Sequence, residues 1–199
     1  SALSGVGRVM EPSELLWYHR TIDVQPVAGK RMLLHFGAVD FRTQVWVNGI
    51  EVTDVPHEGG NLPFTVDITS AIQSGTNELV ISVWDPSDSG MQAVGKQHLK
   101  PGGCMYTRVT GIWQTVWLEG VGSTYIKRIW VDPQAEGGRL IWRAEVDGPN
   151  KGYTVRVRAS LDGKMVGEDS APANWRNTVG VAKLSTVKLW STDKPTLYD

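Results

Sequence analysis

The stretch RMLLHFGAVDFRTQVWVNGIEV, Arg31 to Val52, decides the fold. Met32, Leu34 and Phe36 alternate with Arg31, Leu33 and His35; after a break at Gly37, Phe41, Thr43, Val45 and Val47 alternate with Arg42, Gln44, Trp46 and Asn48. Successive side chains of a strand point to opposite faces, so each run reads as a β-strand with one core-facing side. Asn48-Gly49 then separates the second run from Ile50-Glu51-Val52. A two-residue hairpin requires positive φ at both central positions, which Asn-Gly adopts at low steric cost, so the pair predicts a tight hairpin.

Outward from this stretch the same period recurs. Phe64, Val66 and Ile68 mark the inward face of a strand over Pro63 to Thr69, and Leu79, Ile81 and Val83 that of a strand over Asn77 to Trp84, with Ser74-Gly75-Thr76 turning between them. Asp85 to Thr110 breaks the rhythm: it holds two prolines, four glycines and polar residues without period, and a loop of that length is more often functional than merely connecting. Alternation resumes with Ile112, Gln114, Val116 and Leu118, opposite Trp113 and Trp117. Gly120-Val121-Gly122-Ser123 reads as a short linker at a domain boundary, which places one domain at 1–122 and a second at 123–199. In the second, strands are predicted over Tyr125 to Val131, Leu140 to Val146, Tyr153 to Ser160, Lys164 to Val166, Trp175 to Val181 and Ser185 to Trp190, with Asp162-Gly163 as a hairpin turn. That density of short strands suggests a small immunoglobulin-like sandwich, without the Cys–Trp–Cys pattern of antibody domains. The one candidate helix is a turn or two from Pro12 to Leu16, with Ser13 as cap. The fold class is all-β.

Composition narrows the function. Of 199 residues, 20 are Lys or Arg and 21 Asp or Glu, a net charge of −1 that lacks the basic face nucleic acid or an anionic membrane requires. Cys104 is the single cysteine and His19, His35, His57 and His98 are scattered, which excludes Cys/His zinc spacing. The acidic loop shows no calcium-binding spacing either, and no cofactor is expected. No run of 18 apolar residues occurs and the start, SALSGVGRVM, has neither a basic nor an apolar leader region, so a soluble chain without a visible signal peptide is expected.

Several segments together resemble the glycoside hydrolase family 2 enzymes, which include β-galactosidases, β-glucuronidases and β-mannosidases. Trp17-Tyr18-His19-Arg20 is similar to the first core strand of the family's N-terminal sugar-binding jelly roll, LLHFGAVDFRTQVWVNGIEV to its central motif, and HEGGNLPFTVDIT to the segment that closes the sandwich. SGTNELVISVWDPSD resembles the strand leading into the long loop, and YTRVTGIWQTVWLE, Tyr106 to Glu119, resembles the family's Gly-Ile-aromatic strand, with Gln114 where many members carry Arg. GKQHLKPGG, Gly95 to Gly103, is similar to a subset found in polysaccharide-degrading bacteria. The second series resembles the immunoglobulin-like domain that follows, LWSTDKPTLYD being similar to its penultimate segment. The resemblance implies that a last strand and a (β/α) barrel carrying both catalytic glutamates would follow, and that the parent chemistry is retaining hydrolysis of β-galactosides or β-glucuronides. A missing last strand would expose an edge and favour self-association or a disordered C-terminal segment.

Within the chain itself no catalytic pair is found. Glu78 follows Asn77, as an acid/base would, but lies at the start of an alternating strand, and Glu14, Glu51, Glu58, Glu119 and Glu145 fall on polar strand faces or in turns. The best local candidates for sugar contact are Asp85 and Asp88, because carboxylates accept hydrogen bonds from paired hydroxyls. In family β-galactosidases an acidic residue of this loop reaches the barrel mouth, and Asp88 aligns with it better than Asp85. Asp-Pro-Ser-Asp is equally a turn whose carboxylates bond local N–H groups. Lys96, Gln97 and Tyr106 would add polar contacts or domain packing. Nine tryptophans offer stacking platforms for pyranose rings, or else faces covered by a neighbouring sheet or domain; Trp46, Trp84, Trp113 and Trp117 are the instances. Cys104 reads as an inert thiol. The implied partners are a carbohydrate and the catalytic barrel of the same polypeptide; the alternatives are a free-standing carbohydrate-binding module or lectin-like protein, or a structural spacer.

Overall fold

The computed structural model describes Gly5 and residues 7–199. The chain splits into two compact units, Ser1–Val121 and Gly122–Asp199. The described residues contain strands and no α-helix. In the first unit the strands are β1 Leu16–Val24, β2 Lys30–Phe36, β3 Val39–Asp40, β4 Arg42–Val47, β5 Ile50–Glu51, β6 His57–Glu58, β7 Phe64–Asp67, β8 Gly75–Trp84, β9 Gln97–His98, β10 Tyr106–Thr107, β11 Gly111–Ile112 and β12 Val116–Gly122, whose last residue is the first of the second unit. In the second they are β13 Tyr125–Gln134, β14 Arg139–Asp147, β15 Thr154–Leu161, β16 Lys164–Pro172 and β17 Thr178–Lys183.

Two sheets face each other across the first unit's core. One has the order β1-β8-β4-β5, with β6 also paired to β4; the other is β12-β2-β7. Val45 and Val47 of β4 and Leu79, Ile81 and Val83 of β8 meet Leu34 and Phe36 of β2 and Val66 of β7 in one buried cluster. These are the inward positions that the period-two pattern selects. Each buried aliphatic side chain contributes about 2 kcal/mol of transfer free energy, which fixes strand register, since a one-residue slip would turn the whole set to solvent. Phe36 stacks on Phe64 at 4.5 Å and Phe64 on His57 at 3.9 Å, closing the core at the β6–β7 end. At the β4–β5 hairpin Asn48 and Gly49 have φ of 52° and 77°, as the turn chemistry requires.

Four local expectations give way. Pro12 to Leu16 forms a turn instead of a helix: Glu14 N–H donates to Glu11 O (2.9 Å), Glu11 N–H donates back to Glu14 Oε2 (2.8 Å), Arg8 pairs with Glu14, and β1 starts at Leu16. The segment 85–110 is not one structureless loop, because β9 and β10 pair in parallel, Tyr106 with Gln97 and Thr107 with His98. The run from Ile112 to Leu118 is broken into β11, paired to β3, and β12, paired to β2, and β12 continues through Gly122. In the second unit Ser185 to Trp190 is not a strand: Ser185 N–H donates to Val166 O (2.7 Å) and Lys188 N–H to the Tyr198 hydroxyl (2.7 Å), so its backbone donors are spent outside any ladder.

The second unit has sheets β13-β14-β17 and β15-β16, with Trp142, Ala144, Val146, Val155 and Val157 buried between them. Trp142 Nε1–H donates to Asp169 Oδ2 (2.9 Å), which also accepts from Val181 N–H (2.7 Å), so a buried indole donor is matched by a carboxylate of β16. Gly180 is required beside that ring, since a Cβ there would lie 2.5 Å from Trp142 carbons.

Candidate functional site

The loop that follows β8 is built inward from its two aspartates. Asp85 is buried, and its Oδ1 accepts from Ser87 N–H (2.7 Å) while Oδ2 accepts from the Thr110 hydroxyl (2.8 Å), so one side chain shapes the Asp-Pro-Ser-Asp turn and ties it to the loop's far end. Ser87 takes a positive φ of 55° in that turn. Asp88 Oδ2 is bonded to His98 Nδ1 (2.7 Å) and Oδ1 accepts from Leu99 N–H (3.2 Å). Desolvation alone would raise the Asp88 pKa, but the His98 and Leu99 hydrogen bonds outweigh it and hold the carboxyl below its ordinary value. Both carboxylates therefore have partners within the chain.

Gln97 bridges deeper. Its Nε2 donates to Asp40 Oδ2 (2.9 Å) and its Oε1 accepts from Val109 N–H (2.6 Å). Burial pushes the Asp40 pKa up, the Gln97 hydrogen bond opposes this, and the nearby negative charge of Asp85 adds to the rise. Gly60 lies against the same carboxylate, where a Cβ would come within 2.2 Å of Asp40 Oδ1. Arg108, which the sequence pattern did not single out, is the loop's central brace: its buried guanidinium donates to Met10 O (2.9 Å), Leu99 O (3.0 Å) and Glu11 Oε1 (2.8 Å). Its partners are 98, 9 and 97 residues away along the chain. No periodicity connects positions so spaced.

What the loop presents to solvent is a different pair. Lys96 is exposed and its ammonium stands 5.5 Å from the ring centroid of Tyr106, which is 63% exposed. Lys96 O also accepts from Tyr106 N–H (2.6 Å), so the backbone fixes the spacing of the two side chains. Of the five candidate residues, Asp85, Asp88 and Gln97 act as internal struts, and Lys96 and Tyr106 offer a cation and a hydroxyl outward. Cys104 is exposed in the same loop, and no group of three or more His, Cys, Asp or Glu able to hold a metal occurs among the described residues.

The tryptophans divide. Trp84 Nε1–H donates to Pro12 O (2.7 Å), and Trp46 packs 5.6 Å from Trp17. Trp113 and Trp117 remain 57% and 46% exposed.

Residues 8–120 match the family model described as glycosyl hydrolases family 2, sugar binding domain. A putative β-glucuronidase of Formosa agariphila is 26% identical over 190 residues, covering 92% of this chain and 22% of its own length. A β-glucuronidase of Paenibacillus borealis is 28% identical over 200 residues, covering 92% of this chain and 32% of its own length. The crystal structure of an FMN-binding β-glucuronidase from Facaelibacterium prausnitzii L2-6 superposes with a TM-score of 0.69 at 28% identity, over 92% of this chain and 29% of that one. The chain thus spans between a fifth and a third of the length of these relatives.

Proposed function

Because the chain belongs to the glycosyl hydrolases of family 2 through their sugar binding domain, we propose that it is the non-catalytic N-terminal portion of a retaining β-glucuronidase. It supports a catalytic barrel and lends loop groups to the sugar pocket. The observation that carries this is the continuous match over 92% of the chain to proteins named as β-glucuronidases. It moves the emphasis from galactosides, the other substrate class of the family, to glucuronides. In this reading the first unit is the jelly-roll domain and the second the immunoglobulin-like domain. The nucleophile and acid/base lie outside these 199 residues.

The loop chemistry agrees with an anionic sugar. A uronate differs from a neutral hexose by a carboxylate, and an exposed lysine ammonium supplies a charge-assisted donor for it. Lys96 is that cation, standing over the exposed ring of Tyr106, while Asp85, Asp88 and Gln97 hold the loop that presents them. The test is to assay the full-length polypeptide on p-nitrophenyl β-D-glucuronide and β-D-galactoside, with this chain alone as control. Turnover of the glucuronide, absent from the chain alone and reduced about tenfold in kcat/KM by Lys96→Ala, supports the reading. Turnover of the galactoside only, or hydrolysis by the isolated chain, overturns it; sugar binding with no hydrolysis by any longer form favours the free-standing module.

A further inference from the structure

One concavity of the first unit lies beside the end of the loop described above, on the segment that follows it. It is shallow and open to solvent, and is lined mainly by Trp113, Gln114, Thr115 and Trp117 with Asn61 and Pro63. Both indoles are held in place. Trp113 Nε1–H donates to Gly60 O (2.6 Å). Trp117 stacks on His35 at 4.9 Å with planes 15° apart; His35 meets Thr65 Oγ1 through Nδ1 (2.9 Å) and the Glu119 carboxylate through Nε2 (2.9 Å). The segment between them is seated by Gly37, whose N–H donates to Thr115 O (2.9 Å) and where any Cβ would lie 2.8 Å from Gln114 Cβ.

The geometry points to this concavity as a binding surface for neutral oligosaccharides. A fixed, exposed indole face is the partner that the apolar face of a pyranose takes, and because the rings are already immobilised little ordering cost is left for binding. The side-chain amides of Asn61 and Gln114 lie in the lining, and each carries both a donor and an acceptor, the combination that sugar hydroxyls need. No charged residue lines the groove, so nothing there selects a uronate, in contrast to Lys96 in the loop. All the lining residues fall within the matched sugar binding domain, and the inference rests on that sugar-binding reading, not on the hydrolysis proposed for the longer protein. The groove would hold neutral residues of a glycan.

The test uses the ¹⁵N-labelled chain titrated with cellotetraose, laminaritetraose and glucuronic acid, following indole N–H signals assigned through Trp113→Phe and Trp117→Phe. A tetrasaccharide is expected to shift both indole signals saturably, with Kd of about 1 mM, and Gln114→Ala and Trp117→Ala each to weaken that binding about fivefold or more. Gln114 is exposed and its Cβ is kept, so Gln114→Ala tests the groove without disturbing the core. Indole signals unmoved by either tetrasaccharide at about 10 mM overturn the assignment, as do shifts that both variants leave intact. If glucuronic acid moves the amides of Lys96 and Tyr106 while the tetrasaccharides move nothing, the groove falls and the loop reading stands. If the tetrasaccharides bind at the indoles but the full-length protein hydrolyses no glucuronide, the groove stands and the parent activity falls.

Discussion

Asn77 is 1% exposed at the start of β8, and its amide is fully used. Nδ2 donates to Gln73 O and Gly75 O (2.8 Å each), and Oδ1 accepts from Gln73 N–H and Asn48 Nδ2 (2.8 Å each). Truncation leaves several buried partners unmatched, so Asn77→Ala is expected to lower stability by about 2–4 kcal/mol in urea unfolding. Asn77→Asp places an acceptor-only group against two carbonyls. Its folded-state pKa must rise, so its deficit is expected to grow as pH rises from about 4 to 7; an equal deficit at both ends would show that the carbonyls do not face the substituted oxygen. His57 carries the opposite pH dependence. Burial lowers its pKa from 6.5, against hydrogen bonds to Gly59 and Leu62 and the charge of Glu58 that work to raise it. The unfolded chain therefore binds a proton that the folded chain refuses, and stability is whole above 6.5 and lost as pH falls through that value toward the folded pKa. The stability advantage of wild type over His57→Asn is expected to shrink between about pH 7 and pH 5, measured by urea midpoints, and a constant difference refutes it. Asn48 was legible as a turn residue because Asn-Gly has one cheap conformation; that its side chain also holds Asn77 and Glu78 N–H was not, since those partners lie across the sheet.

At the level of elements, the strands with one aliphatic face were legible and those made by polar pairing were not. β4 and β8 alternate apolar with polar residues, and their cores follow. β16 runs to Pro172 without such alternation because its pairing comes from the Asp162-Gly163 hairpin, from Glu168 bridging Arg156 and Arg158 of β15, and from Asp169 accepting the Trp142 donor. Opposite charges across a ladder contribute only tenths of a kcal/mol each, and register rests also on the inward Gly167, Asp169 and Ala171 of β16, the last packed on the core. The candidate loop shows the same divide. Its carboxylates stood out as residue types, but their partners His98 and Thr110 lie 10 and 25 residues away in an aperiodic stretch. Arg108 is the element's weakest link to lose. Arg108→Ala strands the Met10 and Leu99 carbonyls and is expected to cost about 2–3 kcal/mol. It should also speed amide exchange at Tyr106 and Leu99, while Arg108→Lys, with one of three bonds restored, recovers only part of the loss. Unchanged exchange in Arg108→Ala would mean that the two aspartates alone hold the loop.

Across the whole chain each unit closes a core of its own, and the second also leaves an apolar cleft open to water. Leu34, Phe36, Val45, Val47 and Val83 are each at most 2% exposed in the first. In the second, Ile129 and Val131 of β13 line an apolar cleft together with Leu189 and Trp190, and the latter two are more than half exposed. On the side of β15 away from β16, Ser160 exchanges two backbone hydrogen bonds with Asp199, at 2.9 and 3.1 Å. An apolar cleft beside a largely unpaired strand edge is the arrangement that natural sheets blunt, because a second copy can add a strand there and bury both at once. The 199-residue chain is therefore expected to self-associate as its concentration rises from about 10 to 500 μM, seen as an increasing weight-average sedimentation coefficient. Val131→Lys places a charge in the cleft and should return the chain to a monomer at the higher concentration, whereas Ile50→Lys, at an exposed hairpin position of the first unit, should not. The pair of variants separates the cleft from general surface hydrophobicity: equal suppression by both would locate the driving force outside the second unit, and suppression by neither would leave the cleft without a part in association.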